Sequence, residues 1–135
     1  MNRAITASAL ALAFAAPGVV LAPAASAAAQ SCVTSTITTG AKDGVGSTAN
    51  KSSTSSCNDL NLVYADDKTA DSKDWYAGRL YSDTSSWKTC SAGYIGVVDG
   101  SYAVNTYVLC TSVNDGTKFT VASSYDSGDT VKITH

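Results

Sequence analysis

The chain has 135 residues, with nine Lys/Arg against eleven acidic residues and a formal net charge of −2. Such mild acidity, without a basic stripe, argues against nucleic acid and anionic membrane surfaces as partners. All the acids are aspartate, and the scarcity of Glu and Lys beside abundant Ser, Thr, Gly, Val and Tyr points to strands and turns, not helices.

Residues 1–27 read as a cleaved signal peptide of bacterial type: Arg3, an apolar run from Ala4 to Ala16, and Ala25-Ser26-Ala27 as a small-x-small peptidase site. Pro17, Gly18 and Pro23 interrupt the apolar stretch before the ~20 residues that a spanning helix needs. Residues 28–135 are then expected as one secreted, extracellular, monomeric domain with no membrane contact after cleavage. Its four cysteines, Cys32, Cys57, Cys90 and Cys110, include no CxxC pair and no Cys/His cluster, so two disulfides formed in an oxidising compartment are expected. Sequential pairing, Cys32 with Cys57 and Cys90 with Cys110, closes two local loops. By chain entropy each bridge contributes roughly 3 kcal/mol, a large share of the stability of a domain with a thin core.

Along the domain, Ser31 to Thr39 reads as a hydroxyl-rich strand with Val33 and Ile37 as its apolar members. The segment 40–56 has almost nothing to bury and reads as a flexible loop tethered by Cys57. Its Asn50-Lys51-Ser52 sequon is taken as chance. Asp59 to Ala65 alternates so that Leu60, Leu62 and Tyr64 share a face. Asp66 to Asp74 reads as a solvated turn. Asp66, Asp67, Asp71 and Asp74 offer calcium-type oxygens, but Lys68 and Lys73 sit among them and the spacing matches no established loop, so no metal is expected.

Trp75 to Ser82 forms the next strand, and another starts near Trp87. Asp99-Gly100 between apolar runs is a hairpin signal. If Ser101 joins that loop, Val98 faces Tyr102, Tyr94 faces Thr106, and Cys90 lies opposite Cys110. Asn114-Asp115-Gly116 signals a second hairpin, Tyr125 to Asp129 a third turn, and Val131 and Ile133 share a face of the closing strand. The sum is an all-β, disulfide-stapled antiparallel sandwich or barrel of about seven short strands, the last four a meander.

Catalytic groups are scarce. His135 is the only histidine, and at the end of the sequence it is expected to be frayed and solvated, leaving no base for a serine or cysteine nucleophile. Zinc ligation by histidine or paired free cysteine is equally unsupported. Gly44-Val45-Gly46 lacks the lysine and helix of a phosphate loop. Neither enzyme activity nor a cofactor is expected.

Aromatic residues are the more informative set. Trp75, Tyr76, Tyr81, Trp87, Tyr94, Tyr102 and Tyr107 crowd together, and alternation places Trp75, Arg79 and Tyr81 on one face. Trp, Tyr and Arg dominate interface hot spots because they combine rigid contact area with a polar handle; the same residues also fill β-sandwich cores, with an arginine over a ring at the rim. The expected function is a non-catalytic binding protein, an inhibitor or interaction module for an extracellular hydrolase, contacting its partner through Trp75, Arg79, Tyr81 and Trp87. The alternatives are a module binding carbohydrate or cell envelope through an aromatic platform, and a structural secreted protein with no defined ligand. Two cysteine staples, the SCVT and LVYADD stretches and a Trp/Arg/Tyr set together resemble the small secreted α-amylase inhibitors of the tendamistat type. That resemblance implies enzyme blockade through a contiguous Trp-Arg-Tyr triplet; here Trp75, Arg79 and Tyr81 are not contiguous, and the cysteine spacings differ.

Overall fold

A computed structural model describes residues 31–135; the expected signal peptide, residues 1–27, lies outside the described residues. Ten strands are formed among the described residues: β1 (Thr34–Thr38), β2 (Ala49–Asn50), β3 (Leu60–Asp66), β4 (Lys73–Tyr81), β5 (Trp87–Thr89), β6 (Ile95–Val98), β7 (Gly100–Ser101), β8 (Tyr107–Cys110), β9 (Lys118–Ser123) and β10 (Thr130–Thr134). No helix occurs among the described residues. The strands form two antiparallel sheets. One runs β1-β10-β3, with β7 and β8 both pairing with β3; the other runs β2-β9-β4, with β5 and β6 both pairing with β4. The sheets remain separate and do not close into a barrel. Seven expected strands become ten because two-residue pieces, β2 and β7, take short places on the sheet edges and the strand expected to run from Trp87 into the central hairpin is divided into β5 and β6.

Between the sheets lies one apolar core that includes Ile37, Leu60, Leu62, Tyr76, Leu109, Phe119, Val121, Val131 and Ile133, all buried. Alternation supplies most of it, since every second residue of a strand faces the opposite sheet. The shared face of Leu60, Leu62 and Tyr64 is interrupted. Leu62 pairs with Ile133 and Tyr64 with Lys132, so Val63 is an extra residue in the register. This bulge turns Tyr64 to the outside, where the Lys132 ammonium lies 5.2 Å from its ring centre, and brings Ala65 into the core.

The central hairpin does not form. β6 pairs with β4 while β7 and β8 pair with β3, so Asp99-Gly100 carries the chain from one sheet to the other. Gly100 has φ 147°. The last four strands are likewise no meander, because β8 and β10 lie in one sheet and β9 in the other. A run of apolar alternation identifies a strand but says nothing about which sheet receives it.

Both disulfides pair sequentially. Cys32–Cys57 has its Cα atoms 5.7 Å apart and Cys90–Cys110 5.4 Å apart. The second bridge joins the sheets: Cys90 follows β5, held by its N–H on the Gly78 carbonyl at 2.9 Å, and Cys110 ends β8. Gly78 makes room for it. A Cβ on Gly78 would stand 2.4 Å from the Cys110 sulfur and 3.0 Å from the Leu109 Cβ.

The segment 40–56, expected as a flexible loop, is fastened along its length. Gly40 bridges to Ala122, β2 pairs with β9, and the Gly46 N–H reaches Thr120 Oγ1 at 3.1 Å. Lys51, within this segment, is buried, with its ammonium on the Ser52 carbonyl at 2.7 Å and 3.6 Å from the Asp115 carboxylate.

Candidate functional site

Strand β4 divides its side chains between core and surface. Tyr76 points inward and Gly78 faces Cys110, while Trp75, Arg79 and Tyr81 take the other face. Trp75 and Tyr81 are each 40% exposed, but Arg79 between them is only 8% exposed. Its guanidinium donates to the carbonyls of Asp43 and Gly44, the latter at 2.7 Å, and to that of Trp87 at 3.3 Å. Tyr94 fastens the same loop, its hydroxyl accepting the Asp43 N–H at 2.7 Å and donating to the Asp43 carboxylate at 3.0 Å. Arg79 thus straps the 41–46 loop across the sheet. Trp75 and Tyr81, six residues apart and hence about 20 Å, form two separate aromatic patches rather than one Trp-Arg-Tyr surface.

At the far end of β4, the Tyr81 ring meets Trp87 edge to face, with centroids 5.3 Å apart, and Lys118 lies over Tyr81 at 5.6 Å. This pair follows from the register, because Tyr81 is directly opposite Trp87 across β4 and β5.

At the near end, Trp75 lies beside Gly96, where a Cβ would come within 3.3 Å of the indole ring, and the Lys73 ammonium sits 5.2 Å from the ring centre. The Ser124 N–H on the Trp75 carbonyl at 2.8 Å brings the next residue, Tyr125, alongside. Tyr125 is 77% exposed. Trp75, Tyr125, Lys73, Asp67, Asp71 and Asp126 line a cleft of about 410 Å³.

Carboxylates gather at the base of this cleft. Asp67, Asp126 and Asp129 each offer an oxygen, and these oxygens all lie within 4.8 Å of one another. Asp129 is fully buried; one oxygen accepts the Lys68 N–H at 3.1 Å and the other has no partner. Burial pushes the Asp129 carboxyl up to about 6, the nearby Asp126, Asp67 and Asp74 charges add to the rise, and the Lys68 N–H opposes it. The Tyr76 hydroxyl is also buried without a partner. Its ionisation is driven far above the ordinary tyrosine range, first by burial and then by the Asp129, Asp74, Asp67 and Asp99 carboxylates. Of the four aspartates that stand out in the sequence, Asp66, Asp67, Asp71 and Asp74, only Asp67 joins the convergent group. Its partners come from the β9–β10 connection, which reads in the sequence as an ordinary turn.

His135 is not frayed. It is buried against Phe119, with ring centroids 5.0 Å apart. Its Nδ1 accepts the Ser52 N–H at 2.9 Å, so the single proton of the neutral ring sits on Nε2 and is donated to Ser35 Oγ at 2.8 Å. An imidazole that donates to the serine cannot also take its proton, and this Ser-His contact therefore does not activate Ser35 as a nucleophile. Burial lowers the His135 pKa, and the Lys51 charge adds to the effect.

No protein family, curated protein or solved structure matches the chain.

Proposed function

We propose that this chain is a secreted, non-catalytic binding module whose contact surface is the cleft flanked by Trp75 and Tyr125, and that its ligand is a saccharide of an extracellular or cell-envelope polysaccharide. The observation that carries this reading is the pairing of exposed aromatic rings with carboxylates in one open cleft. Flat rings stack on the apolar faces of sugars, while carboxylates accept hydrogen bonds from their hydroxyls. Arg79, already engaged with three backbone carbonyls, has little left to offer a protein partner.

Retention of the oxidised protein on a panel of insoluble polysaccharides tests the proposal. At least one polysaccharide should retain the wild type at high salt, and Trp75→Ala and Tyr125→Ala should each weaken retention at least about tenfold, as expected when roughly 1.4 kcal/mol of stacking is lost. Retention by none of the panel, or retention indifferent to both substitutions, would refute it.

The Tyr81/Trp87 patch supports a second reading, an inhibitor or interaction module acting on an extracellular hydrolase. An edge-to-face aromatic pair beside the Lys118 ammonium has the composition of an interface hot spot. Inhibition of a secreted hydrolase that is lost in Trp87→Ala and kept in Trp75→Ala would favour it.

A further inference from the structure

The three convergent carboxylates at the base of the cleft need an electrostatic partner that the described side chains do not supply. The ion pair formed among the described residues is Lys51 with Asp115, which involves none of the three. Lys68, the nearest candidate by sequence, sends its ammonium to the Ser127 carbonyl and only its backbone N–H to Asp129. Two carboxylates that share so small a space without a counter-charge repel each other, and a third adds to the cost.

Two further observations point to a missing ligand. The second oxygen of Asp129 is buried and unpartnered although its twin is bonded. Independently, Tyr76, on a different strand and fully buried, presents an unpartnered hydroxyl to the field of Asp129, Asp74, Asp67 and Asp99. Buried polar atoms are seldom left without partners, and two such atoms at one acidic centre are best explained by a group that is held there.

We propose that Asp67, Asp126 and Asp129 form a binding site for a calcium-type divalent cation at the base of the cleft. Three carboxylate oxygens within 4.8 Å of one another are close enough to share one ion, and an all-oxygen, carboxylate-rich set with open positions for water suits a hard divalent cation such as calcium. The ligands are held in place before the ion arrives. Thr39 fixes the Gly128-Asp129 backbone through three hydrogen bonds of 2.9 to 3.0 Å, and the Asp67 N–H is held by Asp99 at 2.9 Å. Asp67 and Asp126 line the cleft, which provides the route of entry and leaves coordination positions for water. The site stands on these residues whether or not the cleft takes a saccharide.

Isothermal titration of chelator-treated, oxidised protein with calcium chloride, together with thermal unfolding, tests the proposal. One calcium should bind per chain, and about 5 mM calcium should raise Tm by about 5 °C or more, as mass action gives when the free ion is well above Kd. Asp129→Asn keeps an acceptor for the Lys68 N–H and is expected to fold; it should lose at least about tenfold in calcium affinity together with the Tm shift. Asp126→Asn, at a less buried position, provides the same test should Asp129→Asn not fold. Asp83→Asn, in a distant exposed turn, should respond as the wild type. Absence of both binding heat and Tm shift, or a wild-type response in Asp129→Asn and Asp126→Asn, overturns the proposal. Polysaccharide retention is no part of either readout, so its outcome leaves this test unaffected.

Discussion

Replacing Gly78 with alanine places a methyl carbon against the disulfide that joins the two sheets. At the present backbone position that carbon lies 2.4 Å from the Cys110 sulfur and 3.0 Å from the Leu109 Cβ, well inside the ~3.5–4.0 Å at which carbon contacts are favourable. One neighbour is covalently tied to Cys90 and the other is fully buried in the core, so neither can yield without moving a sheet. Overpacking of this kind costs about 1–3 kcal/mol, and at about 4–8 °C per kcal/mol for a domain of roughly 100 residues Tm should fall by about 5–20 °C. Thermal unfolding followed by circular dichroism measures this directly. The decisive control is the same substitution in a Cys90→Ala/Cys110→Ala background. That background is itself about 3 kcal/mol less stable because a 20-residue loop is no longer closed, but without the sulfur only the 3.0 Å approach to Leu109 remains, partly offset by the better strand propensity of alanine, so Gly78→Ala should cost at least about 1 kcal/mol less there than in the wild type. Equal penalties in both backgrounds would refute the assignment of Gly78 as the residue that accommodates the bridge.

Arg79→Ala should release the loop that Arg79 straps to the sheet while leaving the sandwich folded; the Gly44 amide should lose hydrogen-exchange protection relative to amides of β9, and unchanged protection would show that the strap is not what holds it. Tyr76→Phe removes a buried hydroxyl with no partner, so in chelator the variant should be more stable than the wild type by about 1 kcal/mol in urea unfolding, and a loss of stability would show that the hydroxyl already has a bonding partner. His135 gives a pH dependence. Its folded pKa lies below the ordinary value, so near pH 6.5 the unfolded chain binds more protons than the folded one, and stability must fall as pH drops through about 6.5 toward the lowered folded value. Urea unfolding of wild type and His135→Gln between about pH 7 and pH 5 isolates the effect, since the other titrating groups are common to both; parallel curves would refute it.

The strands were legible where side chains alternate between one wet and one dry face. Leu60 with Leu62, and Val131 with Ile133, place β3 and β10 without any knowledge of the rest of the fold, and the sequential disulfides follow from loop length. What sequence proximity could not supply was the choice of sheet. Asp99-Gly100 carries a strong hairpin signal, yet β6 and β8 answer to different partners, because hydrogen bonding to long β3 and β4 outweighs a local turn preference. The same limit hid the acidic site. Asp67 stood out within a charge-rich stretch, but Asp126 and Asp129 are about 60 residues further on, and only the adjacency of β3 and β10 brings them together. The flexible loop expected over 40–56 and the solvated His135 fail for one reason, that a polar residue in a polar stretch says nothing of its burial; Lys51 and His135 are covered where the 40–56 segment packs against the end of β10.

Strand β4 links stability to function. Its inward residues make the core and the gap for the disulfide, and its outward residues make both aromatic patches and the strap between them. Tyr76 belongs to both systems, with its ring in the core and its buried, unpartnered hydroxyl in the field of the Asp129, Asp74, Asp67 and Asp99 carboxylates. A cation bound by Asp67, Asp126 and Asp129 would therefore act on more than the ligands it touches. It would relieve the repulsion among the three carboxylates, and it would tie the end of β3 to the turn before β10. Binding energy gained only in the folded state is folding energy, so calcium should slow unfolding most at the end of the sandwich where Trp75 and Tyr125 are presented. The edge that carries the proposed contact surface would then be firmest where the ion is available, as outside the cell, and looser where it is not.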